Sequence, residues 1–170
     1  ALSRPAELRG VWRHDPWVGN WDKAMKTLAK NGFNAFFPNM CASFAHYDSQ
    51  VLSVSDRAKA EGDQIVKALA AGRKYGIAMH IWRVNYQIWG PADFQERMVA
   101  ENRVQKKADG SVYLTNGNAV LCPSQTSNQD LEVAAMRELA VKYHPDGIHF
   151  DYIRYPDAGT CFCENCLRLF

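Results

Sequence analysis

No apolar run in this chain of 170 residues approaches the roughly 20 residues needed to cross a bilayer, so no membrane-spanning segment is expected. Neither sign of charge is in excess. A net charge of +2 gives no electrostatic case for nucleic acid. Nothing like Gly-x-Gly-x-x-Gly or a phosphate loop follows the first predicted strand, which weakens any nucleotide-binding reading. A signal peptide is also missing, although a chain beginning Ala1-Leu2-Ser3-Arg4-Pro5 fits one from which a leader has been removed. In that case an extracellular or periplasmic site follows; otherwise the compartment stays open. The five cysteines, Cys41, Cys122, Cys161, Cys163 and Cys166, cannot all pair within the chain. What is present is ordinary globular composition, nearly half hydrophobic and long enough for one domain with a real core.

The order of elements carries the fold. Leu8 to His14 reads as a first strand. Asn20 caps a helix from Trp21 to about Lys30, with Trp21, Ala24, Met25 and Leu28 at helical spacing and Gly32 at its end. Phe33 to Asn39 is a second strand. After a long connection, Asp63 caps a second helix that ends at Gly76, and Ile77 to Asn85 is a third strand. The next connection, Tyr86 to Thr126, must hold structure of its own. Within it, Asp93 to Arg103 reads as helical and Lys107 to Tyr113 as a hairpin with an Asp-Gly turn. Ser127 and Asp130 resemble a capping box opening a third helix with Leu131, Ala135, Leu139 and Tyr143 at four-residue steps. Strand four covers residues 147–153, and a helix starts at Glu164. This alternation predicts an α/β fold with a parallel sheet and right-handed crossovers. Two topologies fit: a doubly wound open sheet, or the first four strands of a (β/α)8 barrel, which needs about 250 residues when complete.

The stretch Asp146-Gly147-Ile148-His149-Phe150-Asp151-Tyr152-Ile153-Arg154-Tyr155-Pro156 is the most informative. A buried strand does not carry a carboxylate without cause, because an unpaired interior charge costs several kcal/mol or neutralises itself, at the order of magnitude known for such groups. Asp151 is therefore expected at the strand's carboxyl end, where parallel sheets build their sites. The other strands also end polar: Arg13 and His14, Asn39, and Arg83 with Asn85. The expectation is that Asp151, Arg83, Asn85 and Asn39 line one cleft, with Arg154 and His14 beside them. The competing reading of the stretch is an Asp–Arg pair at a strand terminus. Separately, Cys161-x-Cys163-x-x-Cys166 has a spacing that lets three thiolates converge on a zinc ion of tetrahedral geometry. Cys122, His149 or His144 is the candidate fourth ligand. A disulfide between two of the three, or free thiols, is the alternative.

Leu8-Arg9-Gly10-Val11-Trp12, residues 31–39 (NGFNAFFPN), residues 76–82 (GIAMHIW), Leu121-Cys122-Pro123-Ser124 and residues 146–156 together resemble the bacterial glycoside hydrolases called family 10-like glycosylhydrolases. The resemblance runs almost end to end and in order. It implies a (β/α)8 barrel, action on glycosidic bonds and a catalytic carboxylate at the end of the fourth strand, which falls on Asp151. By looser similarity to the α-amylase and α-galactosidase barrels, Asp151 is the nucleophile and the acid/base comes from a later strand.

Glycoside hydrolysis needs two carboxyl groups, about 5–5.5 Å apart when retaining and roughly 6.5–9.5 Å when inverting. Asp151 supplies one. His80, Asn39 and Asn85 are candidates for sugar hydroxyls, and Trp12, Trp82 and Trp89 for stacking on pyranose faces. Strand tryptophans and an interior histidine are also ordinary core residues. The expected function is hydrolysis of a poly- or oligosaccharide, with no cofactor needed for catalysis and zinc, if bound, structural. The alternatives are a non-catalytic carbohydrate-binding or assembly fragment, and a zinc-stabilised α/β module without a sugar role. Four units standing alone are expected to show negligible turnover and to self-associate through open sheet edges.

Overall fold

A computed structural model describes residues 7–170. The leading Ala1-Leu2-Ser3-Arg4-Pro5, noted above as compatible with a removed leader, lies outside the described residues. The chain begins with β1 (Gly10–Arg13), α1 (Trp21–Lys30) and β2 (Ala35–Cys41). The first long connection then folds into two short strands, β3 (Phe44–Ala45) and β4 (Ser53–Val54), and a helix α2 (Asp56–Glu61). Next come α3 (Gln64–Tyr75) and β5 (Ala78–Val84). The second excursion holds α4 (Ala92–Ala100) and the ribbon β6 (Leu114–Thr115) and β7 (Asn118–Ala119). The chain closes with α5 (Thr126–Glu138), a π-helical turn over Leu139–Tyr143, β8 (Gly147–Asp151) and α6 (Glu164–Leu169). No helix among the described residues is long and apolar enough to cross a membrane.

The fold is mixed α/β with a parallel sheet. Four strands pair in chain order, β1 with β2, β2 with β5, and β5 with β8, all parallel. The short β3 adds antiparallel to the end of β2 at Cys41, and β4 follows it.

Local chemistry sets the helices. The Asn20 side chain accepts from the Lys23 N–H at 2.9 Å, and Asp63 accepts from the Ile65 and Val66 N–H groups at 2.9 and 3.1 Å, so both caps satisfy orphan donors. Gly76, left-handed at φ 68°, ends α3. Gly72 has a packing role: a Cβ there would stand 2.7 Å from the Ile77 carbonyl oxygen and 2.8 Å from Met79, so glycine lets α3 lie directly on β5. The expected capping box of Ser127 and Asp130 does not form. Helix α5 starts two residues earlier than that cap would set it, with Gln125 in the cap position, Thr126 as its first residue and no side-chain cap. Asn128 is instead buried and bridges Arg103 and the Cys122 carbonyl.

The main core lies between sheet and helices: Phe36, Met40, Ile65, Leu69, Met79, Ile81, Ala135, Leu139 and Tyr143. Truncating one of the larger aliphatic members to Ala costs about 2–5 kcal/mol in such settings. The β5–α5 excursion has its own core of Ile88, Phe94, Met98, Val104, Val120 and Leu121, which is why some forty residues hold together there. The Asp109-Gly110 turn closes with Lys107 N–H to Ser111 O at 2.9 Å, but as a single bridge. The ribbon proper turns at Asn116-Gly117, whose φ values of 51° and 81° suit a two-residue hairpin.

Candidate functional site

Strand parity sorts the sheet into two faces. On β5, Met79 and Ile81 enter the helix-side core, so His80, Trp82 and Val84 face the other way. There an aromatic layer forms. Phe37 lies flat on Trp12, with centroids 4.2 Å apart and planes 9° apart, and on His80 at 4.6 Å and 24°. His149 meets Trp12, Phe37 and Trp82 edge-on and accepts from Trp12 Nε1 at 3.4 Å. Two glycines make room for these rings. A Cβ on Gly10 would come within 2.6 Å of the Phe37 ring, and one on Gly147 would collide with His80. Burial pushes the His80 pKa below the usual histidine range; neighbouring His149 acts in the same sense and Asp146 opposes it.

Asp151 ends β8 on this aromatic face. Its Oδ2 accepts from Trp82 Nε1 at 3.1 Å, and its Oδ1 from the Tyr152 N–H at 2.8 Å. Tyr152 takes a left-handed φ of 54°, a conformation uncommon outside glycine, and turns the chain off the strand beside the carboxylate. Around this point stand His14, its ring 4.6 Å from Trp82, and Asn39, in register with Trp82. Trp89 packs edge-on against Tyr152 at 6.3 Å, and the Arg154 guanidinium lies 4.8 Å from the Tyr152 ring centroid. Asp151, Asn39, His14 and His80 thus share a face. Trp89 and Arg154 reach it through Tyr152.

Arg83 and Asn85 do not, and the expectation of one cleft holding them with Asp151 is corrected. Arg83 on β5 and Asn85 just after it continue the odd-numbered positions and point with Met79 and Ile81 into the helix layer. Arg83 is 1% exposed. Its Nε and Nη2 donate to the two oxygens of Glu132 at 2.7 and 2.9 Å, and Nη1 donates to the Ala42 carbonyl at 2.7 Å. Asn85 Nδ2 donates to Glu132 at 2.6 Å, and the Tyr86 N–H at 3.2 Å. One buried carboxylate therefore collects four donors, and buried charge is tolerated only on such terms. Asn85 still touches the site indirectly: its Oδ1 accepts from the Asp151 N–H at 3.3 Å, and its own N–H donates to the Asp151 carbonyl at 2.8 Å. Arg83, Glu132 and Asn85 hold the backbone of Asp151 from behind. Glu132 was not a sequence candidate; its signal was Asn128, Glu132, Met136 and Leu139, a partly polar stripe at helical steps on the buried side of α5.

Asp151 itself is half-buried, while Trp12 and His14 on the same face are exposed. The larger hollows lie elsewhere, one between β1 and α1, lined by Val11, Ala24, Leu28 and Phe36, and one beside the cysteines, lined by Tyr155, Phe162 and Leu167. At the cysteines, the sulfurs of Cys122, Cys161, Cys163 and Cys166 all lie within 4.8 Å of one another. His149, on the aromatic face, and His144, at the end of the π turn, are not in that group. Cys41 sits apart, buried in the main core.

No protein-family model matches the chain, and no curated protein matches it. Solved structures do. An alpha-L-fucosidase isoenzyme 2 from Paenibacillus thiaminolyticus aligns over 96% of this chain at 14% identity with a TM-score of 0.68, and the chain spans 26% of that protein. A hypothetical protein from Ruminiclostridium thermocellum aligns over 91% of this chain and 80% of its own length, at 16% identity and a TM-score of 0.63. An alpha-galactosidase from Lactobacillus brevis aligns over 89% of this chain and 22% of its own, at 10% identity and a TM-score of 0.60. At such identities the likeness is one of fold: the chain has a glycoside-hydrolase-like fold, and nothing in the likeness singles out the family 10-like group.

Proposed function

We propose that the chain forms the first half of a (β/α)8 barrel and belongs to a glycoside hydrolase acting on a poly- or oligosaccharide. Asp151 is its catalytic carboxylate at the end of the fourth parallel strand. The observation that carries this reading is the setting of Asp151: a half-buried carboxylate at a strand's carboxyl end, both oxygens accepting hydrogen bonds, beside the buried Trp82 indole and the half-buried rings of Trp89 and Tyr152. Sequential order of the parallel strands supports the barrel version, as does the fold of the fucosidase and galactosidase.

In this reading Asp151 is held as an acceptor at both oxygens, the form in which an ionised carboxylate attacks or stabilises an anomeric carbon. Trp82 fixes it from the sheet and Tyr152 from the loop. Trp12 and Trp89 stack on sugar rings, whose axial C–H bonds suit an aromatic face, while Asn39, His14 and Arg154 take hydroxyl groups. His80 lies under Phe37 and supports the platform. The second carboxyl group belongs to a later strand, within the separations that retaining or inverting chemistry requires. No cofactor enters the reaction.

One observation favours a second reading. The ring-lined face has one identified carboxylate, which suffices for binding sugar without cleaving it. Turnover of a panel of aryl glycosides, measured on a longer chain that carries the later strand and its second carboxyl group, separates the two. The proposal expects hydrolysis that falls by about 10²–10⁴-fold or more in Asp151→Asn, the scale set by losing one acid–base group. Sugar binding with no turnover by that longer chain supports the second reading, whereas residues 1–170 alone are expected to show negligible turnover under either. Neither binding nor turnover removes both. The reading also extends to association: β1 and β8 are outer strands of the parallel sheet among the described residues, and Trp12 and Ile153 beside them are exposed. Such edges recruit strands. Further units of a longer chain or a second copy would cover them, and a strictly monomeric state by light scattering for residues 1–170 alone argues against open edges.

A further inference from the structure

We infer that Cys122, Cys161, Cys163 and Cys166 bind one zinc ion as four thiolates, and that this ion anchors the loop carrying Tyr152, Arg154 and Tyr155. The inference stands independently of the glycosidase reading. It rests on convergence from three parts of the chain. Cys122 follows a segment tied to the exit of β5, where the Leu121 N–H donates to the Tyr86 carbonyl at 2.8 Å. Cys161 and Cys163 lie in the loop after β8, and Cys166 is in the first turns of α6. Cys122 Sγ stands 3.6 Å from Cys163 Sγ and 3.4 Å from Cys166 Sγ. Four sulfurs placed about 2.3 Å from a central zinc are about 3.8 Å apart along the edges of the tetrahedron, so the cluster needs little adjustment. All four are free thiols. Packing four thiols this closely without a bond or a metal has no structural advantage that apolar side chains would not supply better.

The surroundings complete the site. The Lys106 and Cys163 N–H groups donate to Cys161 Sγ at 3.3 and 3.4 Å. Ser124 Oγ lies 3.0 Å from Cys122 Sγ and 3.2 Å from Cys166 Sγ, and Tyr155 Oη lies 3.5 Å from Cys166 Sγ. Donors of this kind offset the charge of a tetrathiolate centre and orient its ligands. A closed set of four sulfur ligands leaves no open position, so the ion is structural. Its position makes it consequential nevertheless. The loop of residues 152–160 is fixed at one end by Asp151 in β8 and at the other by Cys161. With zinc in place, the rim beside the carboxylate has two fixed ends.

The test is metal analysis of protein purified without chelator, together with cobalt(II) substitution. About one equivalent of zinc per chain is expected, because a four-ligand structural site binds tightly. The cobalt form should show thiolate-to-cobalt charge transfer and the strong ligand-field bands of a tetrahedral centre. Cys122→Ser should lose the metal, whereas Cys41→Ser should keep it. If Cys122→Ser does not fold, thiol labelling of the wild-type protein decides: four of its thiols should react only after zinc is stripped. Stripping should also speed proteolysis within residues 152–160. Less than about 0.2 equivalents of metal with reactive thiols, against the tight binding expected, overturns the proposal. So does a disulfide among the four, or iron in place of zinc.

Discussion

Two neighbouring residues of β5, Trp82 and Arg83, stand on opposite faces of the sheet, and each meets a carboxylate. Arg83 meets Glu132 in the helix layer, at 2% and 8% side-chain exposure. Trp82 meets Asp151 on the open face. The first carboxylate is saturated by four donors and unreachable. The second has two donors, solvent beside it and rings around it. The same chemical group therefore serves structure on one face and is available to a ligand on the other. What separates them is a single step along a strand, since side chains alternate.

The comparison breaks most visibly on the buried side. Glu132→Ala leaves the Arg83 charge, the Asn85 amide and the Tyr86 N–H without their partner. Removing one member of a buried pair costs about 3–5 kcal/mol. Chemical denaturation should show that loss, and the double variant Arg83→Met, Glu132→Leu should recover only part of it: an apolar pair removes the unpaired charge, but the Asn85 amide and the Tyr86 N–H still lack their acceptor. Asp151→Asn should shift stability by only about 0.5 kcal/mol, as for changes away from buried networks. Glu132→Ala as stable as wild type would mean that the pair is not buried in solution.

A smaller effect sharpens the open side. Trp82→Phe keeps a six-membered aromatic ring and removes the pyrrole ring with its N–H donor to Asp151. A single hydrogen bond nets about 0.5–1.5 kcal/mol, and the volume lost at a side chain only 4% exposed adds a packing cost to it. Its consequence should be functional: Asp151 loses the donor that fixes Oδ2, so sugar binding or turnover falls more than stability does. Equal losses in both would make Trp82 a packing residue only.

Much of the frame was legible in the sequence because it is set locally. The caps at Asn20 and Asp63, the glycine ends at Gly32 and Gly76, and the four parallel strands all follow from short-range signals. Asp151 at a strand end was legible too, since a carboxylate bounded by alternating apolar residues has few other places to go. What failed was parity at the end of β5. Polar character at Arg83 and Asn85 suggested a cleft, yet Met79 and Ile81, four and two residues before Arg83, fix its direction into the core. Glu132 was not singled out, because helical acids usually lie at the surface. Cys122 stood only as one of three choices for the cluster, because no local pattern tells which distant segment returns to residues 161–166.

The smallest expected effect concerns protons on the open face. His80 has its pKa lowered by burial, with His149 acting in the same sense and Asp146 against it. The folded chain thus resists protonating this ring, while the unfolded chain takes up a proton near the ordinary value of about 6.5. Stability rises with pH wherever the unfolded state holds more protons. The contribution of His80 is therefore fully present above about pH 6.5 and is lost as pH falls below it. His46, also lowered by burial, acts in the same direction, so the wild-type slope alone does not isolate His80. His80→Phe does: it keeps a flat ring against Phe37, where His80 stacks at 4.6 Å, and removes the proton site. Denaturation curves collected between about pH 7.5 and 5.5, the window where histidine titrates, should show a shallower loss of stability in the variant. Parallel profiles for the two proteins would place His80 in solvent-like surroundings and weaken the description of the aromatic face as a packed layer beneath Asp151.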